Sequence, residues 1–134
     1  MSDFRAISAV TAVLKYMLDK EFDDDFGNDK IIISLRAPHT IESVPKENGL
    51  NIFLFNVSTN LGYINYDMPM RNNKGELISK PLVGLNLDYL LTPYAVDNDE
   101  ILVQQILAST IRVLHERSVL SSQIINETKK SFVN

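Results

Sequence analysis

Apolar residues recur at three- and four-residue spacings through Phe4, Ile7, Val10, Leu14, Met17 and Leu18. That spacing predicts an amphipathic helix with one face toward a core. Ser2 or Asp3 stands where a cap is needed. The pattern stops in EFDDDFGND, Glu21 to Asp29, where four Asp and a Gly within nine residues predict an exposed loop. KIIISLRAP then changes the period. Its continuous apolar run ends at a Pro and predicts a strand from about Lys30 to Arg36, centred on Ile31–Leu35. Such a run suits burial on both faces, or on one face plus a partner. A short strand at Thr40–Val44 and a turn at Pro45–Gly49 are expected next.

LNIFLFNVSTN predicts a second long strand, about Leu50 to Thr59, with Ile52–Ser58 as its centre. Phe53, Phe55 and Val57 fall on one face. Leu50, Ile52 and Leu54 fall on the other, where Asn56 and Ser58 take over. GYINYDMPMRNNKGELISKP has no clean period. Asn72-Asn73-Lys74-Gly75 is a good hairpin turn, since Asn and Gly tolerate positive φ. Tyr63–Met70 and Glu76–Lys80 read as its two arms. PLVGLNLDYLLTPY returns to strict alternation, with a strand predicted at Val83–Thr92. Val83, Leu85, Leu87, Tyr89 and Leu91 form the expected core face. Asn86 and Asp88 stand on the opposite face, and Pro93 is expected to end the ladder.

The last third is helical. Asp97 to Glu100 offers an Asp-x-x-Glu form of the capping box. Leu102, Val103, Ile106, Leu107, Thr110, Val113 and Leu114 form one stripe of a helix from about Asn98 to Glu116. Ser121 is placed to cap a short final helix with Ile124 and Ile125 inward, and the tail KKSFVN is expected to fray.

Composition bounds the function. At 134 residues, 45% hydrophobic and 22% charged, the chain is expected to be one domain, residues 1–134, with a core that needs no staples. It has no Cys, hence no disulfide framework, thiolate nucleophile or thiolate metal site. That suits a cytosolic setting. The first ten residues lack a secretory signal pattern, and no apolar run reaches the ~20 residues of a spanning helix. A net charge of −4 argues against non-specific nucleic-acid binding.

The candidate chemistry is sparse. His39 and His115 are the only His and make a poor zinc set without Cys. His115 stands in the last turn of the long helix, where a cation meets the negative end of the macrodipole. Asp23, Asp24, Asp25 and Asp29 fail the EF-hand pattern, because Ser34 occupies the twelfth position counted from Asp23. No phosphate-cradling loop, dinucleotide fingerprint or nucleophile elbow is present. Asp88 is an isolated acid, read as part of a polar strand face. Tyr63, Tyr66, Met68, Met70 and Arg71 crowd one segment, and these residue types are enriched in interface cores. A loop folded back over the sheet would use the same residues.

MPMRNNKGELISKPLVGLNLDYLLTPY, followed by VLHERSVLS, resembles the N-terminal domain of the tail-terminator or cap proteins of extracellular contractile injection systems. These are phage-tail-like particles of the virulence-cassette and antifeeding-prophage type. Pro69, Arg71, Gly75, Pro81, Leu82, Leu85, Leu87, Tyr89, Leu90, Leu91, Thr92 and Tyr94 carry the first part of the match. Leu114, His115, Val119 and Leu120 carry the second. Departures occur at Gly62-Tyr63, where the family has Arg-Asn, and at Lys80, the first of a Pro pair. Asn86 replaces an Asp, Asp88 a His and Ser118 a Pro.

The resemblance implies a structural subunit without catalytic site, cofactor or metal. Such a subunit forms a homo-oligomeric ring, expected to be hexameric, that ends the inner tube and sheath. Its partners are copies of itself and the tube and sheath proteins, with no nucleic acid, membrane or small-molecule substrate. It is expected in the cytoplasm during assembly and then in a released or cell-associated particle. Tyr63, Tyr66, Met68, Met70, Arg71, Asn72, Asn73, Lys74 and Gly75 are the candidate interface residues. The competing readings are a small-molecule-binding α+β domain or enzyme using Asp88 and His115, and a baseplate component of a phage-like or type VI particle. The expected fold is α+β: a mainly antiparallel twisted sheet with two long helices on one face. Leu87→Ala and Leu107→Ala are each expected to cost ~2–5 kcal/mol.

Overall fold

The computed structural model describes residues 5–60, 73–75 and 84–133. Its elements are α1 (Ala6–Phe26), β1 (Ile31–Ser34), β2 (Asn48–Thr59), β3 (Leu85–Tyr94), α2 (Glu100–Glu116) and α3 (Ser122–Val133). The fold is α+β, with a third helix beside the two long ones. The sheet order is β1-β2-β3. β2 and β3 pair antiparallel over ten register positions, whereas β1 and β2 pair parallel over four. The parallel edge was not foreseen. It follows from the thirteen-residue connection 35–47, long enough to carry the chain back to the same end of the sheet.

One face of the sheet carries the core. Ile31 and Ile33 of β1 and Leu50 and Ile52 of β2 pack with Met17, Leu18 and Phe22 of α1 and Ile106 and Val113 of α2. Tyr89 and Leu91 of β3 join them from its odd-numbered face, as alternation predicts. The alternation does not hold to the start of that strand. Leu85 is 45% exposed, and Leu87 is only half-buried, because the β2–β3 ribbon runs past the helices.

The acidic run is not a loop: α1 continues to Phe26. Phe22 stands four residues after Leu18, and Phe26 four after Phe22, so the apolar stripe carries on between outward acids. Phe22 is buried, with Phe26 edge-on at 5.7 Å between ring centroids. Gly27, at φ +52°, then ends the helix. The expected caps Ser2 and Asp3 lie outside the described residues.

The strand expected at Thr40–Val44 is absent, and Pro38–Thr40 instead forms one turn of 3₁₀ helix. Pro93 does not end its ladder. It pairs with Leu50, and β3 runs on to Tyr94. β3 is a sheet edge, where a residue without an N–H is tolerated. The C-terminal residues continue α3 to Val133 rather than fraying at Lys129.

The buried stripe of α2 is also rotated from the one expected. Ile106, Ser109, Thr110 and Val113 point inward, while Leu107 is 39% exposed. The apolar arc of α2 is wider than the surface that covers it, and Leu107 lies on its uncovered side. The cap of α2 is Asp99, whose Oδ1 accepts from the Leu102 N–H at 3.2 Å. Asp97 and Asn98 take positive φ in the preceding turn, so the helix starts two residues later than an Asp97 cap would place it. Ser121 does cap α3, accepting from Ile124 N–H at 3.3 Å.

Gly49 of β2 is closely hemmed in. A Cβ there would meet the Tyr94 hydroxyl and the Ile32 carbonyl oxygen. The backbone carbonyl cannot swing away as a side-chain tip can, so this position in β2 requires Gly.

Candidate interaction surface

Two polar constellations organise the surface. The first joins α1 to α2. Acids near a helix C-terminus face the negative end of its dipole, so Glu21 and Asp25 need cations. Arg112 supplies one, its Nη2 2.6 Å from Asp25 Oδ2, and Arg117 another, its Nη2 3.0 Å from Glu21 Oε1. Ser109 Oγ also donates to Asp25 Oδ2, and Arg112 reaches Glu116 one turn on. The Ser109 hydrogen bond, with Arg112 beside it, holds the Asp25 carboxyl below the ordinary Asp range. Asp25 in turn pushes the Arg112 guanidinium up.

A carboxylate with a depressed native pKa contributes stability above its unfolded pKa, and that contribution disappears as pH falls through the native value. Asp25→Ala should therefore destabilise the chain more at pH 7 than in acid well below the ordinary Asp range, where the native carboxyl takes up its proton. Denaturation of both proteins at the two pH values checks this. An equal deficit at both would remove the ionic role.

The second constellation is on the sheet. Asn51 is fully buried on the face away from the helices. Its Oδ1 accepts from Ser34 Oγ at 2.8 Å and from Arg36 N–H at 3.0 Å, and its Nδ2 donates to the Arg36 carbonyl at 2.8 Å. The side-chain amide takes the place of the next ladder step, so β1 stops at Ser34 and the chain departs. Beyond Asn51, no described strand lies on that side of β2.

From Ile52 onward β2 and β3 form a two-stranded ribbon. Its even-numbered polar residues have plain partners. Asn56 Nδ2 donates to Asp88 Oδ2 at 2.8 Å, and Asn60 Nδ2 to Asn86 Oδ1 at 3.2 Å. Asp88 is thus a cross-strand hydrogen-bond acceptor on an exposed face. A register shift between Leu54 and Asn56 leaves Phe55 as the extra residue of a bulge, 59% exposed. Val57, Leu85 and Leu90 of the ribbon are exposed too, with Leu85 opposite Thr59 and Leu90 opposite Phe53. Their exposure escaped sequence reasoning, because strict alternation assigned Phe55 and Val57 to one face without locating the end of the core.

Of the candidate interface residues, Tyr63, Tyr66, Met68, Met70, Arg71 and Asn72 lie outside the described residues, as do the two hairpin arms. Asn73, Lys74 and Gly75 form an exposed turn with Gly75 at φ +80°, the conformation that selects Gly. His115 is exposed in the last turn of α2, as its position predicts, and His39 sits in the turn Pro38–Thr40. Among the described residues no three His, Asp or Glu side chains gather as a metal site. No described helix is long and apolar enough to cross a membrane. A groove of about 520 Å³ runs between α1 and the ribbon, lined by Ile7, Ser8, Thr11, Ala12, Lys15, Leu35 and Leu54. Another, of about 500 Å³, lies along the Asp25–Arg112 contact. Neither Asp88 nor His115 lines either of them.

Comparison with known proteins places this architecture. No curated protein and no solved structure matches the chain. The family model of the Pvc16 N-terminal domain matches residues 9–132, from the first helix to the last. The chain therefore belongs to the Pvc16 N-terminal domain family, and is a component of a phage-tail-like contractile injection particle.

Proposed function

We propose that this chain is the cap, or tail-terminator, subunit that ends the inner tube and sheath of its particle as a hexameric ring. The family match across residues 9–132 carries the reading. The β2–β3 ribbon supports it, because Phe55, Val57, Leu85 and Leu90 are large apolar side chains exposed along it, and such side chains suit a surface that is covered on assembly. The role is mechanical rather than enzymatic. Its partners are further copies of the chain and the tube and sheath proteins. The subunit acts in the cytoplasm during assembly and then within the finished particle.

A ring subunit needs two different lateral surfaces and a third for the tube end. The hairpin Tyr63–Gly75 is proposed for one contact, on its aromatic, Met and Arg content. Deleting Asn65–Glu76 should then reduce the mass in solution from a ring toward that of a single copy, somewhat below the 15.2 kDa of the intact chain. Light scattering across a concentration series reads this. A ring that assembles unchanged removes the hairpin from the interface.

A further inference from the structure

We propose that neighbouring copies of this chain join edge to edge, the free edge of β2 in one copy pairing with the outer edge of β3 in the next. This deepens the ring reading and names its lateral contact. Three observations converge on it. Asn51 ends the β1 ladder, so among the described residues β2 has no strand on that side from Ile52 to Thr59. β3 likewise has no described strand beyond it from Leu85 to Leu91. Each edge presents a row of backbone donors and acceptors, which only another extended chain satisfies along its length.

The two edges also match in chemistry. Solvent-facing edges are usually guarded by charged side chains, Pro or bulges, and of these β2 carries only the bulge at Phe55. Ile52–Thr59 has no charged residue and no Pro, and Leu85–Leu91 has only Asp88, already engaged by Asn56. Phe55 and Val57 are exposed on one strand, and Leu85 and Leu90 on the other. Leu54 of β2 also lines the groove against α1, whose walls are mostly apolar, with Ser8, Thr11 and Lys15 as its polar members. A strand added next to Leu54 continues the helix-facing side of the sheet, so alternate apolar side chains of the incoming β3 drop into that groove.

A second copy is the occupant favoured over an unrelated strand, because one ribbon carries both edges at nearly equal length. Pairing unlike edges is heterologous, the type of contact that propagates around a closed ring. A β2–β2 contact would be two-fold and would stop at a dimer.

The absence of Cys makes the test direct. Phe55→Cys and Leu87→Cys lie near the middles of the two edges, so their approach does not depend on strand direction. The two single variants, carrying tags of different mass, are mixed and oxidised, and the products are resolved by mass spectrometry. Native mass is measured on the same samples. If Leu87→Cys fails to fold by circular dichroism, Asp88→Cys takes its place. The expected result is a Phe55→Cys/Leu87→Cys heterodisulfide at least several-fold above either like pair and above an exposed control, Glu42→Cys.

Dominant Phe55→Cys like pairs would overturn the proposal in favour of a two-fold contact. Cross-linking at control level would overturn it in favour of another interface or a foreign strand. A ring mass with control-level cross-linking leaves the ring and removes the edge pairing. Heterodisulfides without a closed ring mass keep the edge pairing and remove the ring.

Discussion

Phe22→Ala should lower the free energy of unfolding by about 3–5 kcal/mol. The ring is 2% exposed at the centre of the core, between the end of α1 and the strands, and it holds Phe26 edge-on. Truncation forfeits the burial of an aromatic side chain and leaves a cavity that well-packed neighbours fill only in part. Against a typical total of about 5–15 kcal/mol this is a large fraction. Leu107→Ala is the control. At 39% exposure on the uncovered side of α2 it should cost less than about 1 kcal/mol. Urea denaturation of the three proteins measures both. Equal, small effects would mean that α1 ends before Glu21 and that the acidic run is a loop after all.

The second large effect is at Asn51. Asn51→Ala strands the N–H and carbonyl of Arg36 and the hydroxyl of Ser34, which the amide now satisfies at 2.8–3.0 Å. An unsatisfied buried polar group costs about 1–3 kcal/mol, so the expected loss is about 2–4 kcal/mol after partial access to water. Asn56→Ala, which removes an exposed bond to Asp88, should cost about 0.5 kcal/mol. Hydrogen exchange at the Arg36 amide gives a local readout, with protection lost in Asn51→Ala and kept in Asn56→Ala. Unchanged stability and protection at Arg36 would show that the side chain does not terminate the β1 ladder.

Periodicity located the long elements because burial repeats along them. Ile31 and Ile33, Leu50 and Ile52, Tyr89 and Leu91, and Ile106 and Val113 pack in the core, and their spacing announced strand or helix before any contact was known. The failures have a common origin in what lies across from a residue. Asp23, Asp24 and Asp25 read as a loop by composition. Their helix is held by Phe22 on the inner face and by Arg112 and Arg117 from another helix, about ninety residues away in the chain.

Leu107 satisfied the period of the stripe on α2, but the stripe is broader than the sheet and helix that cover it. Asn51 sat inside an apolar run with nothing to mark it as a ladder terminator, because its partners Ser34 and Arg36 lie at and just past the end of another strand. The parallel pairing of β1 with β2 has no local signal beyond the length of the connection. The ribbon was legible as two strands through LNIFLFNVSTN and NLDYLLTPY. Its exposed end was not, since exposure depends on where the helices stop.

The role as a terminating ring is tested most directly by electron microscopy of the particle's tube protein polymerised with and without this chain. Tubes of restricted length are expected, closed at one end by a six-fold ring present only when the chain is added. Tubes of unchanged length with no added ring at either end would contradict it, and a ring found at the baseplate end would assign the chain to the other end of the particle.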